Sequence, residues 1–103
     1  MEVTLLYFDD CPNWKVTDER LAAMAEEFDL NISRLLVETP EEAERLGFRG
    51  SPTVLVDGRD VFADRDAPVG LSCRIYPTPD GPAGSPTVAQ LRAVLGGSTE
   101  PRP

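Results

Sequence analysis

The chain has 103 residues, with 18 Asp and Glu against 10 Lys and Arg, a formal net charge of −8, two cysteines and no histidine. This length supports one small domain, and a hydrophobic share of 41% is enough to build a core. Lack of histidine excludes Ser-His-Asp and Cys-His catalysis and imidazole metal ligands, two thiols alone do not complete a four-ligand zinc site, and the acidic balance argues against nucleic acid and anionic membrane surfaces.

Residues 2–8 alternate Val3, Leu5 and Tyr7 with Thr4, Leu6 and Phe8, so both faces are largely apolar, as in a central strand covered on both sides. After the acidic turn Asp9-Asp10, Pro12 marks the start of a helix, on which Leu21, Met24, Ala25 and Phe28 share one face. Residues 30–37 read as a second strand, parallel to the first because a helix connects them. Thr39-Pro40-Glu41-Glu42 predicts a capped helix start: Thr39 as N-cap, Pro40 at the first helical position, Glu42 completing a capping box, and Gly47 as the terminator. Two β-type runs, residues 53–56 and 59–63, flank Asp57-Gly58, a strong hairpin signal. A final helix is expected from Ser85-Pro86, with Ser85 as cap and Val88, Leu91 and Leu95 on its inner face. The expected class is therefore α/β, in the order β-α-β-α-β-β-α.

Residues 1–95 read as a single domain, and the Gly- and Pro-rich residues 96–103 as a frayed tail. Inside the domain, residues 64–85 form the exception: four prolines, no helical period, and Cys73 among Leu71, Ile75 and Tyr76. A loop of that length without regular structure is usually functional or disordered, and Cys73 with its apolar neighbours favours a functional loop. Charge is uneven, with a net −7 over residues 1–50 (12 acidic, 5 basic) and −1 over residues 51–103 (6 acidic, 5 basic). That imbalance reads chiefly as solvated helix surface. Tyr7, Phe8, Phe28, Phe48 and Phe62 are expected in the core.

The N-terminus lacks the basic start and cleavage site of a signal peptide, and the apolar run at residues 3–8 is far short of a membrane span. A cytoplasmic location is the expectation. There thiols stay reduced, and a disulfide that forms is more often catalytic than structural.

Cys11 draws attention first. It lies between a buried strand and a helix, where the positive end of the helix dipole stabilises a thiolate, the form that acts as nucleophile. Lys15 adds positive charge, while Asp9 and Asp10 oppose it. Asp10 is also a candidate proton donor to thiol chemistry.

The segment strand–Cys11-Pro12-Asn13-Trp14-Lys15–helix resembles the active-site segment of the thioredoxin-like superfamily, whose motif is C-x-x-C at a helix start. The Cys-Pro pair is similar to glutaredoxins, and Gly50-Ser51-Pro52-Thr53 before a strand resembles the superfamily's cis-proline position. Together with G-S-P-T-V-L-V-D-G-R-D and G-L-S-C-R-I-Y, these segments resemble small bacterial thioredoxin-like proteins, some carrying an alkylmercury-lyase-like label. The resemblance covers roughly residues 2–95 apart from the loop. It implies a three-layer thioredoxin-like fold with a long irregular loop before the last helix. It also implies a cis Ser51–Pro52 bond and a groove in which Pro12, Ser51, Pro52 and Thr53 receive a substrate, the Ser51 or Thr53 backbone pairing with an extended peptide or glutathione-like molecule; Trp14 is either a stacking wall of that groove or core filling.

Trp14 stands where the motif has its second cysteine, so Cys11 cannot close the usual active-site disulfide. Two routes stay open. Either Cys11 acts alone and an outside thiol such as glutathione or mycothiol resolves the mixed disulfide, or Cys73 folds over the site and resolves it. The functional expectation is a thiol–disulfide redox protein, an oxidoreductase or a sensor, with Cys11 as nucleophile, Cys73 as resolving thiol, no cofactor, and a peptide or low-molecular-weight thiol or disulfide as partner. Two alternatives are soft-metal or organomercurial handling through Cys11 and Cys73, and an inactive thioredoxin-fold binding module.

Overall fold

The computed structural model describes residues 1–62 and 69–99. Its elements are β1 (Glu2–Tyr7), α1 (Trp14–Phe28), β2 (Asn31–Leu36), α2 (Pro40–Leu46), β3 (Thr53–Val56), β4 (Arg59–Asp60), β5 (Tyr76–Thr78), β6 (Gly81–Ala83) and α3 (Val88–Thr99). Among the described residues they form a mixed α/β fold: a four-stranded sheet in the order β2-β1-β3-β4, a separate β5-β6 hairpin, and three helices.

β1 is central because both of its faces are apolar. It pairs in parallel with β2, from Glu2 opposite Asn31 to Tyr7 opposite Leu36, and antiparallel with β3, where Val3 faces Val56 and Leu5 faces Val54. On one side of the sheet Val3, Leu5, Val54 and Val56 pack with Leu21 and Met24 of α1 and with Leu91 and Leu95 of α3. On the other side Leu6 packs with Val37, Phe48 and Ala43 of α2. Helices thus cover both faces, and each fully buried Leu, Val or Phe contributes about 1.5–3 kcal/mol by leaving water. Of the five aromatic residues expected in the core, Phe48 is fully buried, while Tyr7, Phe8, Phe28 and Phe62 are half-buried at its margins.

Local signals account for several junctions. Thr39 Oγ1 accepts the Glu42 N–H at 3.1 Å, and Gly47 ends α2 at φ +67°. Asp57 and Gly58 turn the β3–β4 hairpin at φ +51° and +84°, the left-handed pair such a two-residue turn requires. Asp57 Oδ1 also accepts the Glu2 N–H at 3.1 Å, tying the turn to the start of β1.

Several expectations need correction. α1 begins at Trp14 rather than Pro12, because residues 12–13 make a preceding turn in which the Lys15 N–H reaches the Pro12 carbonyl at 3.1 Å. α3 begins at Val88, and its cap is Thr87: Thr87 Oγ1 accepts from the Gln90 N–H at 3.0 Å while Gln90 Oε1 accepts from the Thr87 N–H at 2.9 Å. Ser85 is instead buried against α1, with its hydroxyl 2.7 Å from Thr17 Oγ1. α3 also continues through Gly96 and Gly97 to Thr99, past the expected end at residue 95; a glycine inside a helix costs only about 1 kcal/mol relative to alanine.

Another correction concerns the long loop, part of which is the β5–β6 hairpin. Pro77 faces Pro82 across it. Prolines have no N–H to donate, so they fit the non-hydrogen-bonded pair of an antiparallel ladder without loss. Thr78-Pro79-Asp80-Gly81 supplies the turn, with the Asp80 N–H donating to Thr78 Oγ1 at 3.2 Å. The expected strand at 59–63 is shorter, Arg59–Asp60. Its last residue Ala63, loop residues 64–68 and tail residues 100–103 lie outside the described residues. No described helix is long and apolar enough to cross a membrane.

Candidate functional site: a disulfide docked beside Pro52

Cys11 and Cys73 form a disulfide, with their Cα atoms 5.7 Å apart across a sequence separation of 62. Cys11 follows β1 in a tight turn, its N–H donating to the Phe8 carbonyl at 3.0 Å, and the turn leads directly into α1. Cys73 comes from the far side of the loop. The two halves of the bond differ in exposure: Cys11 is 1% exposed, whereas Cys73 is an exposed residue flanked by exposed Ser72 and Ile75.

Backbone pairing brings Cys73 there. The strip carrying it runs parallel to the chain before β3 and forms a β-bridge with Ser51. The Gly70 N–H donates to the Phe48 carbonyl at 3.0 Å, the Ser51 N–H to the Ser72 carbonyl at 2.7 Å, and the Arg74 N–H to the Ser51 carbonyl at 2.9 Å. Gly50 permits this approach: at φ +115°, a Cβ on it would lie 3.0 Å from Arg74 Cβ and 3.1 Å from Arg74 N.

Side chains complete the clamp. Arg74 is buried and pairs with Asp60 of β4 at 2.9 Å, its side chain 5% and the carboxylate 16% exposed. It also donates to Thr53 Oγ1 at 3.3 Å and to the Phe62 carbonyl, and lies 4.8 Å from the ring centroid of Tyr76. A buried guanidinium requires such partners, since an unpaired one would be costly. The Tyr76 hydroxyl donates to the Pro52 carbonyl, and burial raises its pKa well above that of an ordinary phenol; the nearby Arg74 cation offsets this in part and Asp60 adds to it.

Of the expected site residues, the structure brings together Cys11, Cys73, Ser51, Pro52 and Thr53. The Ser51–Pro52 peptide is cis. Ser51, Pro52 and Thr53 are buried, and both backbone groups of Ser51 pair with the protein's own Cys73 strip, in the place expected for an extended substrate. Pro12 is exposed. Trp14 is half-buried and stacks on Tyr7 with ring centroids 4.1 Å apart, packing against the core cluster of α1 and α3. Two buried polar atoms in this region, Trp14 Nε1 and Ser51 Oγ, have no hydrogen-bond partner. Asp9 and Asp10 are exposed. Among the described residues no cluster of three or more Cys, Asp or Glu is arranged to hold a metal ion.

Arg74, Asp60, Tyr76 and Gly50 were not expected at the site. The alternation Cys73-Arg74-Ile75-Tyr76 signals an extended strip, but local hydropathy turns Ile75 inward and Arg74 outward. The structure has the reverse, with Ile75 65% exposed. No protein-family model, curated protein or solved structure matches this chain.

Proposed function

We propose that the protein is a thiol–disulfide redox protein of thioredoxin-like type, cycling between the Cys11–Cys73 disulfide and a dithiol. The observation that carries the reading is that contacts other than the disulfide also hold its strip in place. Three backbone hydrogen bonds, the Arg74–Asp60 pair and the Tyr76 hydroxyl do so independently. Breaking the sulfur–sulfur bond therefore leaves two thiols facing each other in an assembled fold, as a reversible couple requires. The central β1 leading through Cys11 into α1, the Gly50–Thr53 segment beside it, and helices on both faces of the sheet support the thioredoxin-like part of the reading. The position after Pro12-Asn13 is filled by Trp14, and Cys73 serves as second thiol in its stead.

In the cycle, an outside thiolate attacks one sulfur of the disulfide and forms a mixed disulfide, and the other cysteine leaves as thiolate. A second outside thiolate then displaces the first as its disulfide and frees the remaining cysteine. The protein gains two electrons and two protons, and two thiols become one disulfide. The test is mild reduction of the folded protein, followed by alkylation and intact-mass measurement. Both cysteines are expected to label together while near-ultraviolet circular dichroism persists. Labelling that begins only with unfolding would make the bond structural and overturn the reading.

A further inference from the structure

Cys11 is expected to be the attacking thiol by its place before α1, but the structure assigns the roles the other way round. We infer that Cys73 is the sulfur that exchanges with the outside thiol or disulfide, and that Cys11 is the buried partner that leaves and returns. This rests on the redox reading above and deepens it.

Thiol–disulfide exchange is an in-line displacement: the incoming thiolate, the attacked sulfur and the leaving sulfur align. The attacked sulfur must therefore be open on the side away from its partner. Cys11, 1% exposed, sits under the strip with the core behind it, so a line of attack on its sulfur passes through the protein. Cys73 lies on the outer side, on an exposed strip, so the same line for its sulfur comes from solvent. Ile75, two residues on from Cys73 along the same strip and 65% exposed, adds apolar surface for a thiol-bearing peptide.

The leaving step favours the same order. Cys11 departs as a thiolate in the turn leading into the 15-residue α1, two residues before its Asn13 cap, on the side where the helix dipole favours negative charge. Cys73 meanwhile carries the outside sulfur as a mixed disulfide, its backbone held by Ser51 on one side and by Arg74 with Asp60 next to it. In the substrate-reducing direction, the Cys73 thiolate attacks a substrate disulfide and releases one substrate thiolate. The Cys11 thiolate then attacks the Cys73 sulfur and expels the second. The substrate disulfide becomes two thiols as the protein's two thiols become its disulfide.

The test treats the oxidised wild-type protein with reduced glutathione, quenches with N-ethylmaleimide and maps the adducts by mass spectrometry. Glutathione on Cys73 with maleimide on Cys11 is the expected pattern. The single-thiol variants give the same order without trapping. With Ellman's reagent, and with folding checked by near-ultraviolet circular dichroism, Cys11→Ser is expected to react about tenfold or more faster than Cys73→Ser, since access governs the rate. Glutathione on Cys11, or Cys73→Ser reacting at least as fast as Cys11→Ser, overturns the assignment and leaves the redox reading standing. A wild-type disulfide that glutathione and dithiothreitol cannot open without denaturant overturns both.

Discussion

Reducing the Cys11–Cys73 bond removes a cross-link between residues 62 apart in sequence, while the contacts that dock Cys73 remain in the folded chain. The effect therefore falls mainly on the unfolded state, which regains the freedom that loop closure denied it. For a loop of that size the chain-entropy relation gives about 4 kcal/mol at 25 °C. A domain of this length shifts its midpoint by roughly 4–8 °C for each kcal/mol, so reduction is expected to lower Tm by about 15–30 °C. The assay is thermal unfolding followed by circular dichroism, with and without a phosphine reductant, and with Cys11→Ser/Cys73→Ser as a reagent-free control. The transition should stay cooperative in both forms. A fall of less than about 5 °C would refute the loop-entropy argument. Loss of any cooperative transition in the reduced form would refute the claim that Arg74, Tyr76 and the Ser51 bridge hold the site together by themselves.

Removing the cation from the buried pair with Arg74→Met strands the Asp60 carboxylate and is expected to cost about 3 kcal/mol in urea unfolding; adding Asp60→Asn should recover part of the loss, and an exposed pair worth nothing would show no such recovery. Gly50→Ala puts a Cβ against the Arg74 backbone at a φ of +115°, so a loss of about 1–3 kcal/mol and a more easily reduced disulfide are expected, checked by urea midpoint and dithiothreitol titration. Tyr76→Phe leaves the Pro52 carbonyl unpaired and should cost about 1–3 kcal/mol at neutral pH. Because burial raises the folded phenol above its unfolded value, the native state keeps a proton that the unfolded chain releases. The resulting stability is whole below about pH 10 and is lost as pH rises beyond it, at up to about 1.4 kcal/mol per pH unit. Urea midpoints from pH 9 to 11.5 should accordingly fall less steeply in Tyr76→Phe than in wild type, and equal slopes would contradict the assignment of that proton to Tyr76.

How far the sequence could be read depended on whether the deciding partner was nearby in the chain. The two-faced apolar run of β1, the Thr39–Glu42 box before α2 and the Asp57-Gly58 turn are local signals, and each element formed where they pointed. The β5–β6 hairpin was also announced, by Thr78-Pro79-Asp80-Gly81, but four prolines masked it, because proline opposite proline is tolerated only in one kind of ladder pair. The helix cap shifted from Ser85 to Thr87 because Ser85 had a tertiary partner in Thr17, 68 residues away. Cys11 and Cys73 stand out in the sequence by their positions before a helix and in the long loop. What brings them together, Arg74 on Asp60 and a strip bridged to Ser51, depends on partners distant in sequence, and no local pattern marks an arginine as buried.

The central claim is that Cys11 and Cys73 are a reversible couple inside a folded protein, and an equilibrium redox titration tests it most directly. The protein is equilibrated in glutathione buffers of graded potential under native conditions, quenched with acid, alkylated and weighed. A redox protein should show one two-electron transition, both thiols appearing together, with a midpoint between about −120 and −270 mV. A disulfide that stays closed below about −300 mV, or opens only as the fold is lost, would mark a structural bond and contradict the proposed function.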